Sequence, residues 1–430
     1  MASISLPKSA AGVKASGLRR FLRDLGPGLI SGAADDDPSG IATFSVAGAS
    51  FGYLPLWTAL FSIPLMIAAQ TMSARLGMVS GRGLAAAIRA NLPRWVLWGA
   101  CSLLVVANVI NIGADLAGMA ESSAMVTPIR AAVWMAFYPL LIIVLLAWSR
   151  YCVIASVLKW LTLVLFSYVF TAFLAHADWS AVLRYTLLPR FEFSRHYLAA
   201  LVAILGTSIS PYLFFWQASQ EVEEERSQGK ITVQSRQGAT AAELSKSRKD
   251  VVTGMIFSNL IVYFIIVTTA ATLHAHGQTT IGTARQAAEA LRPLAGSGAY
   301  WLFTAGIIGT GMLAVPVLAG SCAYAVAEGA TWRASLEDKP KRAREFYAVL
   351  GLALLIGWSI DYLKLNPIRM LFFSAVINGL LAPPLIAVLL VLTGSRKVMG
   401  EHANPRWLRR LGWLTFAVMA AAAIALLATR

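Results

Sequence analysis

Apolar residues run along this chain in long blocks, too continuous for a soluble amphipathic helix and matched to the ~20 residues that cross a bilayer. Such blocks fall near 28–49, 54–74, 96–123, 131–149, 152–175, 196–219, 251–274, 297–328, 346–361, 369–393 and 409–429. The pattern predicts an all-α polytopic membrane protein with about 11 transmembrane helices. The block at 297–328 is overlong and holds Gly306, Gly309, Gly311 and Pro316, so it is expected to tilt, bend or extend beyond the lipid. Two blocks are interrupted near mid-span. The first contains Asp35-Asp36-Asp37-Pro38-Ser39-Gly40, and the sixth contains Gly206-Thr207-Ser208-Ile209-Ser210-Pro211-Tyr212. Proline removes an amide donor and clashes with the preceding turn, so each segment is expected to unwind within the membrane.

Composition agrees with this pattern. Of 430 residues, 57% are hydrophobic and 13% charged, against about 25% charged in soluble domains. The net charge of +15 does not indicate nucleic acid, because the basic residues form no stripe interleaved with aromatics. They lie mostly in short loops. With the N-terminus in the cytoplasm, 26 of the 36 Lys and Arg fall on the cytoplasmic side, 9 on the other side, and Lys159 inside a span. That asymmetry places a multi-pass protein in the cell (inner) membrane, with the bilayer as its partner and the N-terminus cytoplasmic. Residues 1–25 have no apolar core before a cleavage site, so the first span is expected to act as its own insertion signal. Cys101, Cys152 and Cys322 are isolated in apolar spans and read as small core residues.

The segment 220–250 carries Glu221, Glu223, Glu224 and Glu225 at its start and Lys246, Arg248 and Lys249 at its end. It is expected to be a mobile, solvated loop, with an acidic vestibule that attracts metal as the alternative. His274 and His276 are spaced H-x-H but lack a third ligand, which makes a weak metal signal.

The broken spans are the first and the sixth, so the chain divides into two five-helix halves that insert with opposite orientation. Matching interruptions in inverted halves point to a transport site at the midplane. The expected organisation is a tail at 1–25, halves at 26–195 and 196–393, and a linker with a peripheral eleventh helix at 394–430. An ionised carboxylate at the bilayer centre costs roughly 3 kcal/mol on insertion scales. Three acids beside a broken helix therefore point to a cation site built from carboxylate and freed backbone, with a buried structural network as the alternative.

Gly26-Pro27-Gly28, Asp37-Pro38-Ser39-Gly40, Phe51-Gly52-Tyr53 and Ala74-Arg75-Leu76-Gly77 resemble the first two helices of the NRAMP family of divalent-metal transporters. Ala114-Asp115-Leu116-Ala117 in span 3 and Leu205-Gly206-Thr207 with Ser210-Pro211 in span 6 continue the resemblance in order. It implies a leucine-transporter-like 5+5 inverted repeat with helices 1 and 6 unwound, a transported metal substrate, no bound cofactor and no catalysis.

The departures from the family carry the substrate argument. Its helix 1 motif reads D-P-G-N, and here Ser39 and Gly40 follow Asp37-Pro38. Its helix 6 motif reads M-P-H, and here it is Ser210-Pro211-Tyr212. A thioether favours softer transition metals, whereas carboxylate, carbonyl and water suit hard cations. Losing one amide and one thioether is expected to leave a roomier, all-oxygen site for a partly hydrated Mg²⁺. This is most like the NRAMP-related magnesium transporter branch, which lacks the methionine; Mn²⁺ is the second ion. The expected metal residues are Asp37, Gly40, Ser210, Asp36, Ser208 and Asn378, the last chosen over Ser374 on the same face of helix 10. Family members carry D-L-A-E in helix 3 and a His after the helix 6 proline. Gly118 and Tyr212 stand at those places, leaving Asp115 as a proton group or a structural one bonded to neighbours such as Asn111. Weak or absent proton coupling is the expectation. Alternatives are a proton-coupled Mn²⁺/Fe²⁺ symporter and a sodium-coupled amino-acid carrier on the same fold. An intramembrane aspartyl protease using Asp37 and Asp115 would need a G-x-G-D pattern that is absent.

Overall fold

The computed structural model describes residues 27–148 and 161–429. Readings that fall on residues 1–26 and 149–160, including the N-terminal tail, Cys152, Lys159 and the start of the fifth span, lie outside the described residues. Among the described residues there is helix and no strand. Among the described residues eight helices are long and apolar enough to cross a membrane alone, and a bent pair at 163–187 would make a ninth.

The first span is two short helices, α1 (Pro27–Asp35) and α2 (Pro38–Phe51), separated at Asp36 and Asp37. Next come α3 (Leu56–Ser80), an amphipathic α4 (Leu84–Asn91) absent from the sequence reading, α5 (Arg94–Val126) and α6 (Ala131–Trp148). The described part of the fifth span is a 3-10 turn leading into α7 (Phe166–Leu174), after which the chain bends by 118° into α8 (Trp179–Leu187). The second half repeats the opening break, with α9 (Arg195–Ser208) and α10 (Pro211–Ser227) parted at Ile209-Ser210. It continues with α11 (Ala241–Thr272), α12 (Ala299–Ala330), α13 (Arg344–Ser359), α14 (Pro367–Gly394) and α15 (Arg406–Ala428). The overlong eighth block is one 32-residue helix, with Pro316 inside it.

Small residues let the broken helices lie deep in the bundle. A Cβ on Gly32 would meet the Gly254 backbone, and one on Gly206 would come within 2.6 Å of Gly379 Cα, so α1 docks on α11 and α9 on α14 backbone to backbone. Close approach through glycine is the usual device of membrane helix packing, where lipid supplies no hydrophobic drive. The α9–α10 span is 94% buried, while α6 and α15 are only 28% buried and face lipid. The broken elements are therefore central and the eleventh span peripheral.

The solvated loop expected at 220–250 narrows to 228–240, a mostly exposed connection around the short helix Val233–Arg236. α10 continues to Ser227, with Glu221, Glu223 and Glu225 buried, and Lys246, Arg248 and Lys249 lie in α11. The apolar run ends at residue 219, but Gln and Glu are good helix formers and the acids find donors. Glu221 Oε1 accepts from Gln217 at 2.9 Å and Ser247 at 3.0 Å. Glu223 accepts from Arg226, Ser335 and Tyr324.

Candidate functional site

Asp37 is the N-cap of α2, with Pro38 in the first turn, where a missing amide costs nothing. Its Oδ1 accepts from the Gly40 amide and the Ser39 hydroxyl, both at 2.7 Å. Its Oδ2 accepts from Asn111 Nδ2 of α5 at 2.9 Å. A carboxylate oxygen has two lone-pair positions, so Oδ1 is filled and Oδ2 keeps one free. One lone-pair position on Asp37 Oδ2 is thus left without a hydrogen bond.

Asp35 and Asp36 turn to α11. The Ser258 hydroxyl lies 2.9 Å from Asp36 Oδ1 and 3.2 Å from Asp35 Oδ2, with a single hydrogen to share. The remaining oxygens, Asp35 Oδ1 and Asp36 Oδ2, are buried without a partner. The structure therefore separates Asp36 from the hydrogen-bond set of Asp37.

At the second break, Ser210 is buried and its hydroxyl donates to Thr207 O at 2.6 Å and Gly206 O at 3.1 Å. The hydroxyl thus uses carbonyls that the sequence reading left free for the ion. The carbonyl freed at the first break is also taken, since Tyr212 Oη donates to Ala34 O at 2.9 Å. Tyr212 is therefore a strut from the first turn of α10 to the end of α1. Ser208 Oγ, Thr207 Oγ1 and Asn378 Oδ1 are buried without partners, whereas Ser374 Oγ is spent on Leu371 O.

The expected roominess at Gly40 is not found. A Cβ there would lie 3.1 Å from Thr207 Oγ1 and 3.4 Å from Asp37 Oδ1. Thr207 occupies the approach to position 40, and its place three residues before Ser210, on the turn that enters the break, was the available signal. Asn111 was expected near Asp115 but bonds Asp37 instead, leaving both Asp115 oxygens buried and unpartnered. Gly118 faces the side chain of Leu371, whose Cδ1 lies 2.9 Å from an ideal Cβ, so a larger residue there would have to displace that methyl group.

The other metal signals disperse. His274 Nδ1 donates to Ala49 O at 2.8 Å and His276 Nδ1 to Thr272 O at 2.6 Å, each fastening its own stretch of backbone. Among the described residues, no three His, Cys, Asp or Glu side chains converge as a metal chelate. An ion at the break would therefore draw on hydroxyl, amide and water oxygens beside one or two carboxylates.

Two clefts enter the bundle from opposite ends. One of about 1000 Å³, at the N-terminal end of α1, is lined by Pro27, Trp216, Glu223, Tyr324 and Glu328. The other, of about 380 Å³, is lined by Gly52, Tyr53, Asp178, Tyr185 and His274. Neither is lined by Asp37 or Ser210, each of which is 1% exposed.

Two half-helices broken at matching mid-span positions, packed at the centre of an all-α membrane bundle, define the leucine-transporter-like fold. Over residues 28–429 the chain matches the Nramp family, described as natural resistance-associated macrophage protein-like. The divalent metal cation transporter MntH of Klebsiella pneumoniae is 26% identical over 402 residues, covering 92% of this chain and 91% of that protein. MntH of Xanthomonas campestris pv. campestris is 28% identical over 404 residues, covering 92% and 88%. A crystal structure of the Eremococcus coleocola manganese transporter matches with a TM-score of 0.75 at 20% identity, over 97% of this chain and 88% of that one. The nucleobase-cation-symport-1 family transporter Mhp1, in a closed conformation, matches with a TM-score of 0.56 at 11% identity, over 94% and 92%. The chain belongs to the Nramp family.

Proposed function

We propose that this protein is a secondary transporter that moves a divalent metal cation by alternating access, Mg²⁺ foremost and Mn²⁺ also, with weak or no proton coupling. It is not an enzyme in this reading. It sits in the cell (inner) membrane with its N-terminus cytoplasmic, and its halves at 26–195 and 196–393 move around the ion. Divalent metal transport is supported by the family and by the relatives named as divalent metal transporters. The observation that carries the ion preference is the donor chemistry at the two breaks: the carboxylate of Asp37 at one, Thr207, Ser208 and Ser210 hydroxyls at the other, with no sulfur from the α9–α10 turn. Oxygen ligands suit Mg²⁺, which is usually held by one or two carboxylates and sheds its hydration reluctantly. Gly40 contributes backbone alone.

Weak coupling follows from Gly118 and Tyr212. A proton relay needs titratable groups at short spacing, and one of these positions has no side chain while the other is engaged with Ala34 O. Membrane potential alone contributes ~4.6 kcal/mol per 100 mV to a fully translocated divalent charge, twice the single-charge figure. The test is uptake into proteoliposomes loaded with a pH-sensitive dye, with Mg²⁺, Mn²⁺, Ca²⁺ and Cd²⁺ in competition. Mg²⁺ and Mn²⁺ should compete best and enter with little acidification. Preference for Cd²⁺, or acidification in step with metal entry, would overturn the assignment in favour of a proton-coupled Mn²⁺/Fe²⁺ symporter.

A further inference from the structure

We propose that the cation is also held by a third helix: Asn111 and Asp115 of α5 are direct ligands, and Asn111 Oδ1 supplies the amide oxygen that position 40 lacks. The proposal rests on the two facing breaks being the ion site. Asn111 and Asp115 are four residues apart and so share one face of α5. Both are fully buried.

The orientation of Asn111 follows from its partner. Asp37 Oδ2 lies 2.9 Å away, and an ionised carboxylate only accepts, so the nitrogen end of the amide faces Asp37. The oxygen end, Asn111 Oδ1, is one covalent angle away and has no hydrogen-bond partner. One turn further along, both oxygens of Asp115 are also unpartnered. Asp115 is within electrostatic reach of Asp37 and Tyr212, and it faces the Ser39 amide without reaching hydrogen-bond geometry. Three orphaned hard oxygens thus line one helix face beside the free lone pair of Asp37.

Buried polar atoms without partners are costly and call for an explanation. The charge is also unbalanced, because the ion pairs among the described residues include neither Asp37 nor Asp115. A divalent cation between α2 and α5 meets both needs. Its two charges match the two carboxylates, and the amide oxygen adds a neutral hard ligand. An Asn on helix 1 is then unnecessary, since the same chemistry arrives from α5.

The test is isothermal titration of Mg²⁺ and Mn²⁺ into the purified full-length chain in lipid nanodiscs, with thermal unfolding as the check on folding. Asn111→Ala should weaken Mg²⁺ binding about tenfold or more, in the range for losing a residue that touches or orients a metal site. Asn111→Asp keeps an oxygen ligand but loses the N–H donor, and it should bind Mg²⁺ close to wild type. Asp115→Asn should weaken binding about as much as Asn111→Ala. If Asn111→Ala does not fold, Asn111→Ser takes its place with the same expectation. Asn111→Asp binding as poorly as Asn111→Ala would make Asn111 a hydrogen-bond donor only and overturn the proposal. Unchanged affinity in Asn111→Ala or in Asp115→Asn would overturn it too. Asp37→Ala separates the two levels: wild-type Mg²⁺ affinity there would remove the ion site itself, whereas loss there with unchanged α5 variants removes only this inference.

Discussion

Tyr212→Phe isolates one hydrogen bond that joins the two breaks. The substitution keeps the ring, which is fully buried, and deletes only the hydroxyl that donates to Ala34 O at 2.9 Å. Ala34 lies in the last turn of α1, whose carbonyls have no helical partner because the helix stops at Asp35. Leaving such a carbonyl bare in the membrane core costs about 1–3 kcal/mol. If the contact exists only when the halves close around the site, that cost falls on the closed state alone. The equilibrium between closed and open forms should then shift about 5- to 150-fold toward open. The readouts are accessibility of single cysteines placed along the cleft that contains Trp216 and Tyr324, and saturating metal uptake. Greater accessibility with a lower maximal rate is expected, without a change in ion preference. Because the hydroxyl acts as a strut, the pH dependence of uptake should be unchanged. Wild-type accessibility, rate and thermal stability together would refute the strut.

Two further predictions concern the ligands themselves. Asp37→Ala should abolish divalent uptake in a protein that still folds, with a lost cap worth about 1 kcal/mol; Asp37→Asn should recover that stability by capping Gly40 but remain inactive. Near-normal uptake in either would place the site elsewhere. Ser210→Met with Gly40→Asn should move preference toward Mn²⁺ and Cd²⁺ by adding a thioether and an amide. The crowding of position 40 by Thr207 means that this shift should be larger when Thr207→Ala is added. Unchanged ion competition in the triple variant would show that ligand softness does not select the ion.

The architecture was legible because the bilayer imposes one length on every span. Both mid-span breaks sat at the prolines that named them, and α10 starts at Pro211 as α2 starts at Pro38. What composition could not convey was how far polar residues remain inside. Glu221, Glu223 and Glu225 ended the apolar run yet stay on a buried helix, because Gln217 and Ser247 donate to Glu221, Arg226 and Ser335 to Glu223, and Lys230 to Glu225. α4 also escaped the reading. It is eight residues long, and its first turn is held by Glu328 from α12, which accepts from Ala86 N at 3.1 Å. At the site, the residue types and the participating breaks were legible, but the partners were not. Nothing in the order of residues says that Asn111 turns to Asp37 and not Asp115, or that Tyr212 takes the carbonyl of Ala34.

The replacement of Asn by Gly at position 40 and of Met by Ser at position 210 conserves oxygen more than it creates space. The volume beside Gly40 is approached by Thr207 Oγ1, and Ser210 folds back on the carbonyls of its own turn. Asp37 and Ser210 are almost wholly buried and line neither cleft, so under the proposed function a hydrated ion enters when the packing about the breaks opens. A site that must part to admit its ion cannot select by a fixed radius in the closed state. On the proposed reading it selects by which atoms meet the ion on closure, and those atoms are oxygens of carboxylate, hydroxyl and amide. Under the proposed function Mg²⁺ gains from retaining water and from carboxylate ligands, whereas a softer ion finds no thioether at position 210 to offset its own dehydration. In the function proposed above, ligand hardness applied at closure, with Tyr212 bracing the two breaks, is what sets the ion preference.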